Sequence, residues 1–169
     1  MDTLLQSAAV TNIYLLYAPE DEEFARQVIR RWRILTLQGT VKIVSLANIE
    51  PGQPYNLLNL YEQQAQVILL LLSPDIDAAK LLEMVSQKRK IFAIYIRWVA
   101  DDLIGVLQSA KIPIAPAKPI NSYTDKEHAI TNTERFFWRW LFGKKRRPRK
   151  NSKRQKINLL LLKILQTNK

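Results

Sequence analysis

The sequence predicts an α/β fold, a flavodoxin-like open parallel five-stranded sheet with helices on both faces. Three observations predict it. The segment from Gln66 to Ser73 holds six consecutive aliphatic residues and stops at the polar turn Ser73-Pro74-Asp75. A strand with one wet face alternates apolar and polar residues. An unbroken run has both faces buried, as in the centre of a parallel sheet covered by helices. Strand-like and helix-like segments also alternate five times along the chain, the pattern of successive βαβ units. Finally, 169 residues with 47% hydrophobic and 24% charged content suit one soluble domain with a sizeable core.

The elements follow in order. Asn12 to Tyr17 reads as a first buried strand, broken by Ala18-Pro19. Glu20, Asp21, Glu22 and Glu23 open a helix, where acids favour the positive end of the helix dipole. Phe24, Val28, Ile29, Trp32 and Leu35 fall on one face of it, and Gly39 ends it. Val41 to Leu46 is a second, shorter strand. Asn48 to Pro54 is a loop with a Pro-Gly turn. Tyr55 to Ala65 is a second helix, and the opening strand comes next. Asp75 to Gln87 is a third helix, Ile91 to Ile96 a fourth strand, and Asp101 to Ala110 a short helix. A fifth strand within Ile112 to Ile120 is interrupted by prolines and belongs at an edge. Thr124 or Asp125 caps a last helix that runs to about Phe142.

The net charge of +11 is unevenly placed. Eleven of the 26 Lys and Arg lie between Lys144 and Lys169, a stretch without acids, so the body is neutral and the tail carries the excess. This divides the chain into a lead (1–11), a folded domain (12–143), a polybasic linker (144–156) and a short apolar C-terminal helix (157–169). There are no cysteines, which excludes disulfides, zinc-thiolate sites and a cysteine nucleophile. With a single histidine, His128, no metal site is expected. Met1 to Val10 lack the pattern of a secretory leader, and no apolar run reaches the roughly 20 residues that span a bilayer. A cytoplasmic location is expected, with peripheral membrane attachment through the tail as one reading.

Four landmarks then appear in sequence. They are Tyr17-Ala18-Pro19-Glu20-Asp21-Glu22, Ile49-Glu50-Pro51-Gly52 with Tyr55, Val67 to Asp75, and Lys118 to Tyr123 followed by Asp125 and Glu127. Their order and spacing, over about Asn12 to Phe142, resemble the Toll/interleukin-1 receptor (TIR) domains in their bacterial form. The resemblance implies two activities. One is homotypic association, with Ile49, Glu50, Pro51, Gly52 and Tyr55 as the expected interaction loop. The other is cleavage of NAD at the nicotinamide–ribose bond by a glutamate on the third helix, in a cleft that Tyr17, Ala18, Pro51, Gly52 and Ser73 would line.

Glu83 is the acid of that helix beyond its first turn and the candidate catalytic residue. The chain departs from the family pattern around it. Ile76 stands for an aromatic, Leu16 for the serine that ends the first strand, and Val44, Leu46 and Asn48 for the tryptophan and aspartates before the loop. These changes remove hydrogen-bonding groups that a small-molecule pocket uses for specificity. With four glycines in the chain, a Gly-rich phosphate cradle is not available. The expected function is therefore a self-associating TIR-like signalling and interaction module, non-catalytic or weakly catalytic. No cofactor is expected, and NAD enters as substrate if Glu83 is active.

Other chemistries are weaker. Ser73 to Leu82 and Lys118-Pro119 also resemble a response-regulator receiver, which makes a degenerate receiver the alternative fold family. However, Leu70 occupies the position of its phosphorylated aspartate. A triad of Ser73, His128 and Asp75 has no support from spacing. The tail residues Lys144, Lys145, Arg146, Arg147, Arg149 and Lys150 follow the aromatic-rich Phe136 to Phe142. They suit a solvated linker, contact with an anionic membrane surface, or, less well, nucleic-acid phosphates. Base stacking is not indicated, because the charges are not interleaved with aromatics. Partners are thus expected to be other TIR-like domains or a second copy of the chain.

Overall fold

The computed structural model describes residues 10–45 and 56–143. Within them five strands form one all-parallel sheet in the order β2-β1-β3-β4-β5. The strands are β1 (Thr11–Leu16), β2 (Val41–Ser45), β3 (Val67–Leu72), β4 (Ile91–Tyr95) and β5 (Ile114–Ala115). The helices are α1 (Glu22–Arg31), α2 (Arg33–Leu37), α3 (Asn56–Gln64), α4 (Ala78–Ser86), α5 (Asp101–Ser109) and α6 (Lys126–Phe142). This is the flavodoxin-like α/β fold that the aliphatic run and the alternating pattern predict.

The aliphatic run is the central strand, and all six residues of β3 are buried. Its neighbours are fixed by register, with Ile13 opposite Val67 on one side and Ile68 opposite Ile91 on the other. Successive side chains alternate between the two faces. On one face Tyr14, Leu16, Ile68, Leu70, Leu72, Ala93 and Tyr95 pack with Leu81 and Met84 of α4 and Leu107 of α5. On the other, Ile94 shares a narrow apolar gap with Phe24 and Val28 of α1, Trp32, Ile120, and Ile130 of α6. Helices therefore cover both faces. Burying each large aliphatic side chain contributes about 1.5–3 kcal/mol, which is why the sequence signal is strongest here.

The differences from expectation lie at the ends of elements. The first helix is two segments, because the chain turns at Trp32 between α1 and α2. Gly39, at φ +67°, ends α2 with the Thr40 N–H bonded back to the Leu35 carbonyl. The third helix starts at Ala78 rather than Asp75, since Asp77 caps it by accepting the Lys80 N–H at 3.1 Å. Asp75 is thereby left in the preceding turn. The fifth strand is two residues long and pairs only with β4, as its prolines require. Of the two cap candidates for α6, Asp125 serves, accepting the His128 N–H at 2.9 Å.

Two further helix ends carry local strain. Lys88 after α4 and Lys111 after α5 have φ of 55° and 57°, and the following N–H groups bond back to Met84 and Leu107. Glycine is the usual residue in this left-handed conformation, and a side chain there costs about 1 kcal/mol.

Tyr14 carries a testable electrostatic consequence of the core. It is 2% exposed, and burial together with the Glu62 carboxylate on α3 pushes its hydroxyl up to about 12. Lys80 bridges these groups, 2.8 Å from Glu62 and 6.0 Å from the Tyr14 ring. A phenol whose folded value lies above its unfolded one, near 10, keeps its proton better when folded. The associated stability is complete below pH 10 and is lost as pH rises through 12. The loss should be roughly 2–3 kcal/mol. Urea midpoints between pH 9 and 12 should show this decline in the native protein and a shallower one in Tyr14→Phe.

The chain divides into two units after Glu134. In the described part of the second unit, residues 135–143, α6 stacks its own aromatics. Trp138 and Phe142 lie nearly parallel at 5.7 Å, and Phe137 meets Trp138 edge-on at 4.8 Å. The interaction loop 49–52 with Tyr55, and the basic residues from Lys144 onward, lie outside the described residues.

Candidate functional site

In an open parallel sheet the ligand crevice lies beyond the carboxyl ends of the strands. Three strands deliver polar groups there. The chain leaves β1 through Tyr17 and Ala18, both buried, into a 3₁₀ turn over Pro19–Asp21. It leaves β3 at Ser73, which is fully buried, and reaches Asp75 two residues later. Past β4 and the buried Ile96 comes Arg97.

These groups bind one another. The Ser73 hydroxyl donates to Asp21 Oδ2 at 2.5 Å. Arg97 donates from Nε to Asp21 Oδ1 at 3.0 Å, and its Nη2 lies 2.8 Å from the same oxygen. The Arg97 Nη2 also donates to Asp75 Oδ2 at 2.5 Å. The Asp21 side chain is 4% exposed, against 32% for Arg97 and 39% for Asp75. A carboxylate buried that far requires a cation and donors on both oxygens, and here it has them. Desolvation opposes the guanidinium's charge, but the hydrogen bonds to Asp75 and Asp21 and the attraction of both carboxylates together outweigh it and hold the group above its ordinary range. The result is a staple joining the ends of β1, β3 and β4.

The predicted site residues divide accordingly. Tyr17, Ala18 and Ser73 lie at the carboxyl edge, with the Ser73 hydroxyl engaged by Asp21. Glu83 lies on the exposed side of α4, about 7–8 Å along the axis from its first residue. Its carboxylate accepts from Gln87 at 3.1 Å, within the same helix. Lys80, on the same helix, pairs with Glu62 of α3. Leu70, at the receiver's phosphorylation position, is fully buried in β3. The three members of the paper triad bond elsewhere, His128 to Asn132 and Asp75 to Arg97, while Ser73 donates to Asp21. Among the described residues no group of three His, Cys, Asp or Glu could hold a metal ion, and no helix is long and apolar enough to cross a membrane.

Arg97 was not legible beforehand as part of the site. Its signal was present, an arginine directly after an apolar strand in a fold whose other strand ends carry Asp21 and Asp75.

The fold and this edge define a flavodoxin-like α/β domain. No protein-family model matches the chain, and no curated protein matches it. Among solved structures it is similar to a conserved protein from Enterococcus faecalis V583. The two share 13% identity, with a TM-score of 0.46 over 76% of this chain and 99% of that one.

Proposed function

We propose that this chain is a TIR-like interaction module that self-associates and has little or no NAD hydrolase activity. The TIR-like part rests on the four sequence landmarks and on a fold that accommodates them. The weak catalysis rests on one observation, the Asp21–Ser73–Arg97–Asp75 staple. Polar groups at the ligand edge are committed to one another, and a ribose or phosphate would have to displace a buried ion pair to use them. The exposed position of Glu83 and its bond to Gln87 fit the same reading.

The test combines two measurements on the full chain. Incubation of concentrated protein with NAD should release nicotinamide no faster than a Glu83→Ala variant does. Sedimentation across a concentration series should show reversible self-association. Nicotinamide release that Glu83→Ala abolishes would make the chain an enzyme, and a strictly monomeric species at all concentrations would remove the association.

A further inference from the structure

In this fold every helix between strands runs back from the carboxyl edge of the sheet to the amino edge, and the charges sort with that direction. Acids stand at the starts of α1 and α5, where the dipole favours them, and bases in the last turn of α1 and just past α4 and α5. Exposed Glu20 and Glu23 at the start of α1 and exposed Asp101 and Asp102 at the start of α5 therefore rim the carboxyl edge. Exposed Arg30 and Arg33 around the α1–α2 junction, with Lys88 and Lys111 after α4 and α5, rim the amino edge. The neutral body is thus an electrical dipole.

Two observations set these rims apart from ordinary solvated surface. Lys88 and Lys111 both occupy left-handed backbone positions where glycine is the unstrained choice, so charge is kept on the amino rim against a conformational preference. Each rim also carries large exposed apolar side chains. On the amino side Ile34 is 66% and Leu37 74% exposed, one helical turn apart on α2. On the carboxyl side Trp98, directly after Arg97, is 66% exposed. Apolar anchors ringed by charge of one sign, facing the opposite arrangement, are the anatomy of a specific protein interface.

We infer that a second copy of this chain docks head to tail, its acidic carboxyl rim against the basic amino rim of the first. The inference rests on the self-association proposed above and names the surface that carries it. Such a contact is heterologous, because different patches meet, and it extends into chains instead of closing as a symmetric pair. Opposed rims of this kind also steer association and make it salt-dependent.

Charge reversal in the full chain tests it. D101K/D102K should cancel the charge of the carboxyl rim, setting two lysines against Glu20 and Glu23, and R30E/R33E that of the amino rim, setting two glutamates against Lys88 and Lys111. Each alone should associate at least tenfold more weakly than the native chain. An equimolar mixture should recover association, because the unaltered amino rim of the first fits the unaltered carboxyl rim of the second. Circular dichroism of each variant checks folding. Native-like association of either variant alone, or failure of the two folded variants to associate when mixed, overturns the head-to-tail contact while leaving self-association standing. A native chain that stays monomeric overturns both. A third variant with Lys144, Lys145, Arg146 and Arg147 changed to Glu should associate normally. If it alone loses association, the basic partner is the tail and the amino rim is excluded.

Discussion

Replacing Asp21 by alanine is expected to lower stability by about 3 kcal/mol, the largest effect of any single change at the carboxyl edge. The substitution leaves the fully buried Ser73 hydroxyl without its acceptor, which alone costs about 1–3 kcal/mol. It also removes the better-buried partner of Arg97. Breaking a fully buried ion pair costs about 3–5 kcal/mol, but Arg97 is one-third exposed and keeps Asp75, so only part of that applies. Asp75→Ala should cost less than about 1 kcal/mol, since that pair is largely wet. Urea unfolding at neutral pH measures both, with the slope unchanged if only stability has moved. Adding Ser73→Ala to Asp21→Ala should cost less than the sum of the two, because the orphaned hydroxyl disappears with it. Equal losses from Asp21→Ala and Asp75→Ala would mean that burial of the first carboxylate is not what holds the edge together.

That contrast also explains what could be read from the sequence. The central strand announced itself because burial on both faces demands an unbroken aliphatic run, and Val67–Leu72 satisfies it at every position. Flavodoxin-like topology followed from the alternation of periods. The element ends were harder. Asp75 and Asp77 are both acceptable helix caps, and only the three-dimensional arrangement gives Asp77 to the helix and Asp75 to Arg97. The staple was invisible to periodicity because its members, Asp21, Ser73, Asp75 and Arg97, come from the ends of three different strands. Nothing within one element marks them. Glu83 shows the converse. Residue type and order singled it out, while its helical phase, set by where α4 begins, turns it toward solvent.

Trp32→Ala is expected to cost about 3–5 kcal/mol, comparable with the loss of a central core side chain. Trp32 is 2% exposed at the point where α1 gives way to α2, and it lines the narrow apolar gap together with Val28, Ile94 and Ile130. Its indole N–H donates to Glu134 Oε1 at 3.0 Å. Arg31 binds the same oxygen through Nε and reaches Glu127 through Nη1, both at 2.6 Å, so α1 is tied to α6 by packing and charge together. The Glu134 hydrogen bond accordingly raises the Arg31 guanidinium above its usual range. Trp32→Phe separates the two contributions. It keeps most of the apolar area and loses the bond to a charged acceptor, so about 1.5–3 kcal/mol should disappear. If Trp32→Phe is as damaging as Trp32→Ala, the hydrogen bond to Glu134 outweighs the apolar packing at this junction. If it is harmless, the Glu134 contact contributes little. The distinction bears on assembly, because Arg30 and Arg33 flank Arg31-Trp32 and Ile34 follows directly. A loosened junction would scatter the amino rim without changing its charge. Weaker self-association in Trp32→Ala, restored in Trp32→Phe, would show that the rim must be held in place as well as charged.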